Sequence, residues 1–414
     1  MEEKRNNMSQ YRELLVQHGQ EQVLRFYEEL TEEQKNSLDA EIAQLDFGAI
    51  EEAMKHETKT DEDRLEMIPT LTIDQIKERE EEFKAAGNEA LKQGKVAAVL
   101  LAGGQGSRLG FDGPKGTLNV GIDRELYLFE ILIRNMEKNV RPLGVYMHMY
   151  VMTSDRNHEQ TVAFFKEHNY FGYPEEYLHF FKQDMAPSLD HNGKILLEGK
   201  GKISLTPNGN GGWFSSLQRN GMIGEMKAMG IEWLNVFSVD NVLQDIGDPI
   251  FMGATLVQGY PAGAKVIAKV NPDEKVGAIC LRNGRPSVVE YSELTDELRN
   301  AKDENGNYKY NFGVTLNYLF NIAVTEESAK GKMPIHRANK KIDCIDELGN
   351  PVKPAEPNGY KLETFIFDIL AFYEGVTVFE IVREDEFAPI KNATGVDSLE
   401  SARELLVRKT GITL

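Results

Sequence analysis

The chain has 414 residues, enough for a large core and for two or three structural units. Hydrophobic residues at 41% and charged residues at 27% exclude a disordered or fibrous chain. With 66 acidic against 47 basic residues, a formal charge of −19 excludes a surface that attracts nucleic acid or anionic lipid non-specifically, so any anionic ligand must meet positive charge concentrated locally. Cys280 and Cys344 lie far apart and outside any CxxC spacing, so two buried thiols are expected rather than a disulfide or a zinc site. "MEEKRNNMSQ" lacks the apolar core of a secretion signal and no apolar run nears the roughly 18 to 20 residues of a membrane span, which makes the cytoplasm the expected compartment. No protein partner is evident.

From Tyr11 to about Leu45 apolar residues recur at helical spacing in an acidic background. "TIDQIKEREEEFKAAGNEALKQG" continues this, with Thr72 as its cap and Gly94 as its stop. Residues 1–94 therefore read as a helical N-terminal subdomain whose charge runs are solvated faces. After Gly94 the texture changes. The strand "VAAVLLA", the helix "LFEILIRNMEKN", the strand "VYMHMYVMTS" and the helix "NHEQTVAFFKEHNYFG" alternate as in a mostly parallel sheet flanked by helices. "WLNVFSVDN", "GAKVIAKV", "VGAICLRNG" and "PSVVEYSEL" are further strands, the last two joined by a turn at Asn283-Gly284. The fold class is α/β, with a core over 95–380 and a C-terminal extension over 381–414.

Chemistry concentrates in "VAAVLLAGGQGSRLGFDGPKG", Val96 to Gly116. Gly103, Gly104 and Gly106 let the chain turn sharply after a strand and present backbone N–H groups to an anion, with Arg108 and Lys115 just beyond. Gly104, Gly106 and Gly110 form GxGxxxG, one residue out of register for a dinucleotide fingerprint. Lys115 follows Pro114 and precedes Gly116, so the segment is not a Walker loop either. A plain glycine turn in a βα unit is the bland alternative, and the two cations beyond it count against that reading.

"LAGGQGSRLG" followed by "PKG" resembles the entry loop of sugar-nucleotide pyrophosphorylases. The resemblance runs from about Lys95 to Asn392 through "VMTSDRNHEQTVAFFKEHNYFG", "FFKQDMAPSL", "TPNGNGGWFSSL", "VFSVDNVL" and "REDEFAPIKNA". "VEYSE" and "PNGYKLETFIFD" resemble the UDP-N-acetylhexosamine pyrophosphorylase branch of the UDP-sugar pyrophosphorylase family. It implies a Rossmann-like, GT-A-like mixed-sheet nucleotidyltransferase core that joins UTP to a sugar 1-phosphate, with Mg²⁺. In that scheme Leu101, Ala102, Gly103 and Gly104 hold uracil and ribose, and Gln183 and Gly209 read the uracil edge. Arg108 and Lys115 contact the triphosphate, Asp240 holds Mg²⁺, and Lys391 meets the phosphate from the opposite side. Asn210, Gly277, Glu290 and Tyr291 line the sugar site, and Phe365 and Phe367 flank its acyl group.

Each of these residues also has an ordinary structural reading. Asp240 is a loop or cap acid, Glu290 and Glu293 are edge-strand charges, Lys391 is a surface lysine, and Phe365 and Phe367 are core side chains. His148, His158, His168 and His336 lack metal-ligand spacing and read as structural. Val314 stands where eukaryotic N-acetylhexosamine members of the family carry a sugar-contacting asparagine, which leaves the hexose open. "IDRELYLFEIL" lacks the Pro-Ser and Lys usual before the first long helix, and from the few residues after "REDEFAPIKNA" the extra C-terminal domain of larger relatives is not expected. The reading is a uridylyltransferase making UDP-N-acetylglucosamine. UDP-glucose synthesis is the nearest alternative, and a non-catalytic UDP-sugar-binding module is the alternative from another class. A nicotinamide-dependent dehydrogenase is a distant third, weakened by the off-register glycines.

Overall fold

The computed structural model describes residues 11–55, 63–291, 293–331 and 333–414. They fall into two compact units that do not follow chain order. One draws on the described residues of 1–60, on 184–212 and on 333–366; the other, larger unit draws on those of 61–183, 213–332 and 367–414.

In the smaller unit, helix Glu32–Ala43 starts in a capping box of Thr31 and Gln34, and helix Phe47–Met54 starts on the Asp46 side chain. Their apolar faces carry Leu38, Ile42, Phe47, Ile50 and Ala53 into a core closed by Leu189, Ile195, Ile203 and Leu362. Those partners come from short strands far along the chain, among them Leu189–Asp190 and Gly359–Glu363, which pair in one three-stranded sheet with His336–Lys340. The acidic N-terminal helices thus obtain their hydrophobic partner from segments about 150 to 310 residues away, beyond the reach of local pattern.

The larger unit is built on an eleven-stranded sheet: β1 (Leu65–Glu66), β2 (Thr70–Leu71), β3 (Val96–Leu101), β4 (Met149–Thr153), β5 (Leu178–Lys182), β6 (Trp233–Ser238), β7 (Ala262–Ala268), β8 (Ala278–Arg282), β9 (Arg285–Val289), β10 (Phe312–Asn321) and β11 (Thr377–Glu380). Eight of these lie in the order β2-β11-β7-β10-β6-β3-β4-β5, while β8 branches from β10 and pairs with β1 and β9. Every neighbouring pair in the row is parallel except the two made by β10. All six residues of β3 are buried, as a central strand covered on both faces requires. Asn283 (φ 54°) and Gly284 (φ 78°) make the expected tight turn between β8 and β9.

Two features depart from the sequence pattern. The expected single helix after Thr72 has its capping box but breaks at Arg79 (φ −118°, ψ 15°), giving helix Ile73–Glu78 and then α1 (Glu80–Lys92). α1 crosses α4 (Pro249–Gln258), which follows α2 (Leu128–Val140) and α3 (His158–Glu167) in the chain. The crossing is so close that a Cβ on Gly87 would fall 1.9 Å from Pro249 O and one on Gly253 1.7 Å from Phe83 O. The second departure is β10, a ten-residue central strand whose buried Thr315, Asn317 and Tyr318 disguise it as polar loop. The amide and the threonine hydroxyl are satisfied across the sheet: Asn235 Nδ2 donates to Asn317 Oδ1 at 2.8 Å, and Thr315 Oγ1 to Lys265 O at 3.0 Å.

Candidate active site

In the larger unit the chain passes from β3 to β4 and β5 on one side, then returns to place β6 on the other side of β3. β3 and β6 therefore flank a topological switch point, where the loops leaving two parallel strands diverge and open a crevice at their carboxyl ends. The loop after β3 is the glycine segment, and the loop after β6 carries Asp240.

The glycine loop is a closed, hydrogen-bonded structure. Gly106 N–H donates to Gly113 O at 3.0 Å, Lys115 N–H to Gly104 O at 3.1 Å, and Gln105 bridges to Pro114. The absence of a side chain on Gly103 lets the Gln183 carboxamide lie against the loop, since a Cβ there would stand 2.8–2.9 Å from it. Gln183 follows β5, its N–H donates to Thr153 O at 2.8 Å, and it is buried. Leu101 and Ala102 are buried in the base of the loop, while Gly104 is exposed.

Beneath the loop sits Asn157, fully buried, whose Nδ2 donates to Ala102 O at 2.9 Å and whose Oδ1 accepts from Ser154 N–H at 2.7 Å. The sequence alone does not single it out; a polar residue immediately before an amphipathic helix looks like an ordinary cap.

Three cations and one carboxylate converge at the crevice. Lys115 is half-buried, and burial holds its ammonium below the usual lysine range; Asp240 pulls it up, while Lys391 and Arg108 push it further down. That pattern of influences places Asp240, Lys391 and Arg108 within electrostatic reach of one ammonium although they are up to 283 residues apart in the chain. The Asp240 carboxylate is oriented by the Ser238 hydroxyl, which donates to its Oδ1. Lys391 is brought in by the segment after Glu386, which lies along the Asp240 loop: Ile390 N–H donates to Asp240 O at 2.9 Å and Asn241 bridges to Pro389.

Gly277, Glu290 and Val314 form a second cluster. A Cβ on Gly277 would stand 2.8 Å from Val288, 3.4 Å from the Glu290 Oε1 and 3.8 Å from Val314, and Val314 N–H donates to Gly277 O at 3.0 Å. Tyr291 is exposed beside Glu290, and Phe367 is half-buried in the same unit. Gly209, Asn210 and Phe365 belong to the smaller unit. There Gly209 (φ 84°) lies against Thr364 O, which a Cβ would approach to 2.3 Å. Asn210 Oδ1 accepts from Ile366 N–H at 2.9 Å, and the Phe365 ring lies 4.6 Å from His336.

The carboxylates that come closest to a metal cage among the described residues are Asp245, Asp248 and Glu386, with ligand oxygens within 4.8 Å of one another. A cation already occupies that cluster. Lys265, with no exposed side-chain surface, places Nζ 2.7 Å from Asp248 and 2.6 Å from Glu386, and Lys138 lies 3.0 Å from Asp245. Burial pushes the Glu386 carboxyl up against the pull of Lys265, with Asp245 and Asp248 adding to the push. The site is a structural ion cluster, and Asp240 stands outside it.

Three of the histidines expected to be structural have hydrogen-bond partners. His158 shares a hydrogen bond with Thr153 Oγ1 at 2.7 Å, His168 with Phe164 O at 2.8 Å, and His148 with His179 at 2.9 Å. Of the two thiols Cys280 is buried, its pKa pushed up to about 11 by burial, whereas Cys344 is only partly covered, a correction to the expectation for that residue. Among the described residues no helix is long and apolar enough to cross a membrane.

Residues 46–412 match the family model described as UTP-glucose-1-phosphate uridylyltransferase. The chain is similar to the human UDP-N-acetylhexosamine pyrophosphorylase-like protein 1, with 36% identity over 94% of this chain and 82% of that protein. It is 33% identical to the UDP-N-acetylglucosamine pyrophosphorylase of Saccharomyces cerevisiae, over 96% of this chain and 89% of the other. Among solved structures, the uridine diphosphate N-acetylglucosamine pyrophosphorylase from Trypanosoma brucei, in complex with an inhibitor, superposes with a TM-score of 0.81 at 28% identity, covering 96% of this chain and 84% of that one.

Proposed function

From the premise that the chain belongs to the UTP-glucose-1-phosphate uridylyltransferase family, we propose that it joins UTP to an N-acetylhexosamine 1-phosphate and releases pyrophosphate. N-acetylglucosamine 1-phosphate is the leading acceptor and N-acetylgalactosamine 1-phosphate the second. The family and the named relatives are pyrophosphorylases, and the relatives named above support the acylated-sugar branch. The observation that carries the mechanism is the focus of Arg108, Lys115 and Lys391 on the crevice that also receives Asp240.

In this reaction an oxygen of the sugar phosphate attacks the α-phosphorus of UTP, the bond from that phosphorus to the α,β-bridging oxygen breaks, and pyrophosphate leaves with that oxygen. Two polyanions must approach each other, so catalysis is mostly positioning and charge stabilisation. The glycine loop and Gln183 receive the base and ribose. Arg108 and Lys115 neutralise the triphosphate, and Lys391, carried on a separate segment, stabilises the incoming phosphate. Asp240 suits Mg²⁺, a hard ion that keeps phosphate and water ligands and needs one or two protein carboxylates; when bound it would neutralise charge at the α-phosphate. Gly277, Glu290 and Tyr291 line the sugar side, with Val314 at its edge and Phe367 toward the acyl group.

The test is pyrophosphate release with Mg²⁺ and UTP against glucose, galactose, N-acetylglucosamine and N-acetylgalactosamine 1-phosphates. Turnover confined to the N-acetylated sugars is expected, with Lys115→Ala lowering the rate by about 10² to 10³. A preference for glucose 1-phosphate would overturn the branch. Binding of UDP-sugar with no turnover on any acceptor would make the chain a binding module.

A further inference from the structure

We infer that the buried carboxamide of Asn241 is a positioning residue that keeps Lys391 in register with Asp240; the inference rests on the proposed roles of those two residues. The Lys391 backbone is anchored, its N–H donating to Asp397 O at 2.6 Å, but its ammonium is loosely held. Its side chain is 46% exposed, and its ion-pair partner Asp397 is 3.8 Å away. Its place is therefore set by its backbone: on the C-terminal side by the bonds of Lys391 and Asn392 N–H to Asp397 O, and on the side facing Asp240 by residues 386–390, which belong to no regular strand beyond the single bridge between Asn241 and Pro389.

Asn241 and Pro389 face each other as a non-hydrogen-bonded antiparallel pair, so no backbone bond joins these two residues directly and the pairing rests on the bonds that flank them. The Asn241 side chain, 2% exposed, adds to that pairing. Its Nδ2 donates to Glu386 O at 2.7 Å, and its Oδ1 accepts from Ala388 N–H at 2.9 Å and from Leu243 N–H at 3.3 Å. The carboxamide offers one donor and one acceptor with the spacing of a peptide group, a match that neither an aspartate nor a leucine reproduces. The backbone supplies only two further links, Ile390 N–H to Asp240 O at 2.9 Å and a long one from Val242 N–H to Ala388 O at 3.4 Å. One side chain thus makes two of the four hydrogen bonds between the Asp240 loop and the Lys391 segment. Because Asn241 is also the neighbour of Asp240, loosening it shifts the lysine and the carboxylate relative to each other.

The test is a double-mutant cycle on the full chain, with kcat and the KM for UTP measured for Asn241→Ala, Lys391→Ala and the double variant. Hydrogen exchange is followed over the peptide 386–392. Asn241→Ala should lower kcat by about 10- to 100-fold, the loss typical of a misplaced catalytic group, with KM for UTP within about twofold because the base is held elsewhere. Exchange at Ala388 and Ile390 should accelerate, and in the Lys391→Ala background the Asn241→Ala loss should shrink to below about threefold, since residues acting as a unit are not additive. If Asn241→Ala does not fold, Asn241→Ser carries the same cycle. Losses that multiply in the double variant, or an Asn241 variant with wild-type kcat beside an impaired Lys391→Ala, overturn the positioning role. A Lys391→Ala variant of wild-type activity instead overturns the assignment of Lys391, and the inference falls with it.

Discussion

Replacing Gly103 by alanine tests whether the glycine loop and Gln183 form one base-binding surface. Gly103 does not occupy the left-handed region, so alanine costs little in backbone strain. Its Cβ would meet Gln183 Oε1 at 2.8 Å and Cδ and Nε2 at 2.9 Å, about 0.6 Å short of the 3.4 Å at which ordinary contact begins. The backbone of Gln183 is tied to Thr153 O, so the carboxamide at the far end of the side chain has to move. Losing the hydrogen bonds it would make to a base is worth about 1–3 kcal/mol, a rise of about 5- to 150-fold in KM for UTP. The kcat should stay near wild type, because the cations that meet the phosphates are not displaced. Initial-rate kinetics at saturating sugar 1-phosphate read both parameters. In a Gln183→Ala background the Gly103→Ala effect should vanish. An unchanged KM for UTP, or an undiminished effect without Gln183, would refute the reasoning.

Lys115 gives a pH signature. Its ammonium is held below the usual lysine range chiefly by burial, and the protonated form is the one that stabilises the triphosphate. The kcat/KM should therefore be full at lower pH and fall as pH rises through that lowered pKa, earlier than an ordinary lysine near about 10.4 would allow. Lys115→Arg should move the alkaline limb upward, since a guanidinium stays charged above about pH 12; a limb that does not move assigns the titration to another group. In the buried cluster, Lys265→Met removes the cation from between Asp248 and Glu386. It should cost about 3–5 kcal/mol in denaturant unfolding, partly recovered in Lys265→Met/Glu386→Leu; a loss below about 1 kcal/mol would contradict the pairing.

The sequence by itself determined the local and the chemical. The buried run of β3, the Asn283-Gly284 turn, the Thr72 cap and the glycine loop with Arg108 and Lys115 were legible because each depends on a few neighbouring residues. The family resemblance named the distant members Asp240 and Lys391, but nothing local about Lys391 distinguishes it from a surface lysine. Only the tertiary structure brought it beside Asp240, through a bridge between residues about 150 positions apart. The same holds for β10, whose buried asparagine and threonine look like loop until Asn235 and Lys265 are seen across the sheet. It holds too for the N-terminal helices, whose apolar faces find their partners around residues 189–203 and at Leu362. Periodicity records which face of an element is buried, whereas what lies against that face is set by long-range packing, and no short stretch of sequence carries it.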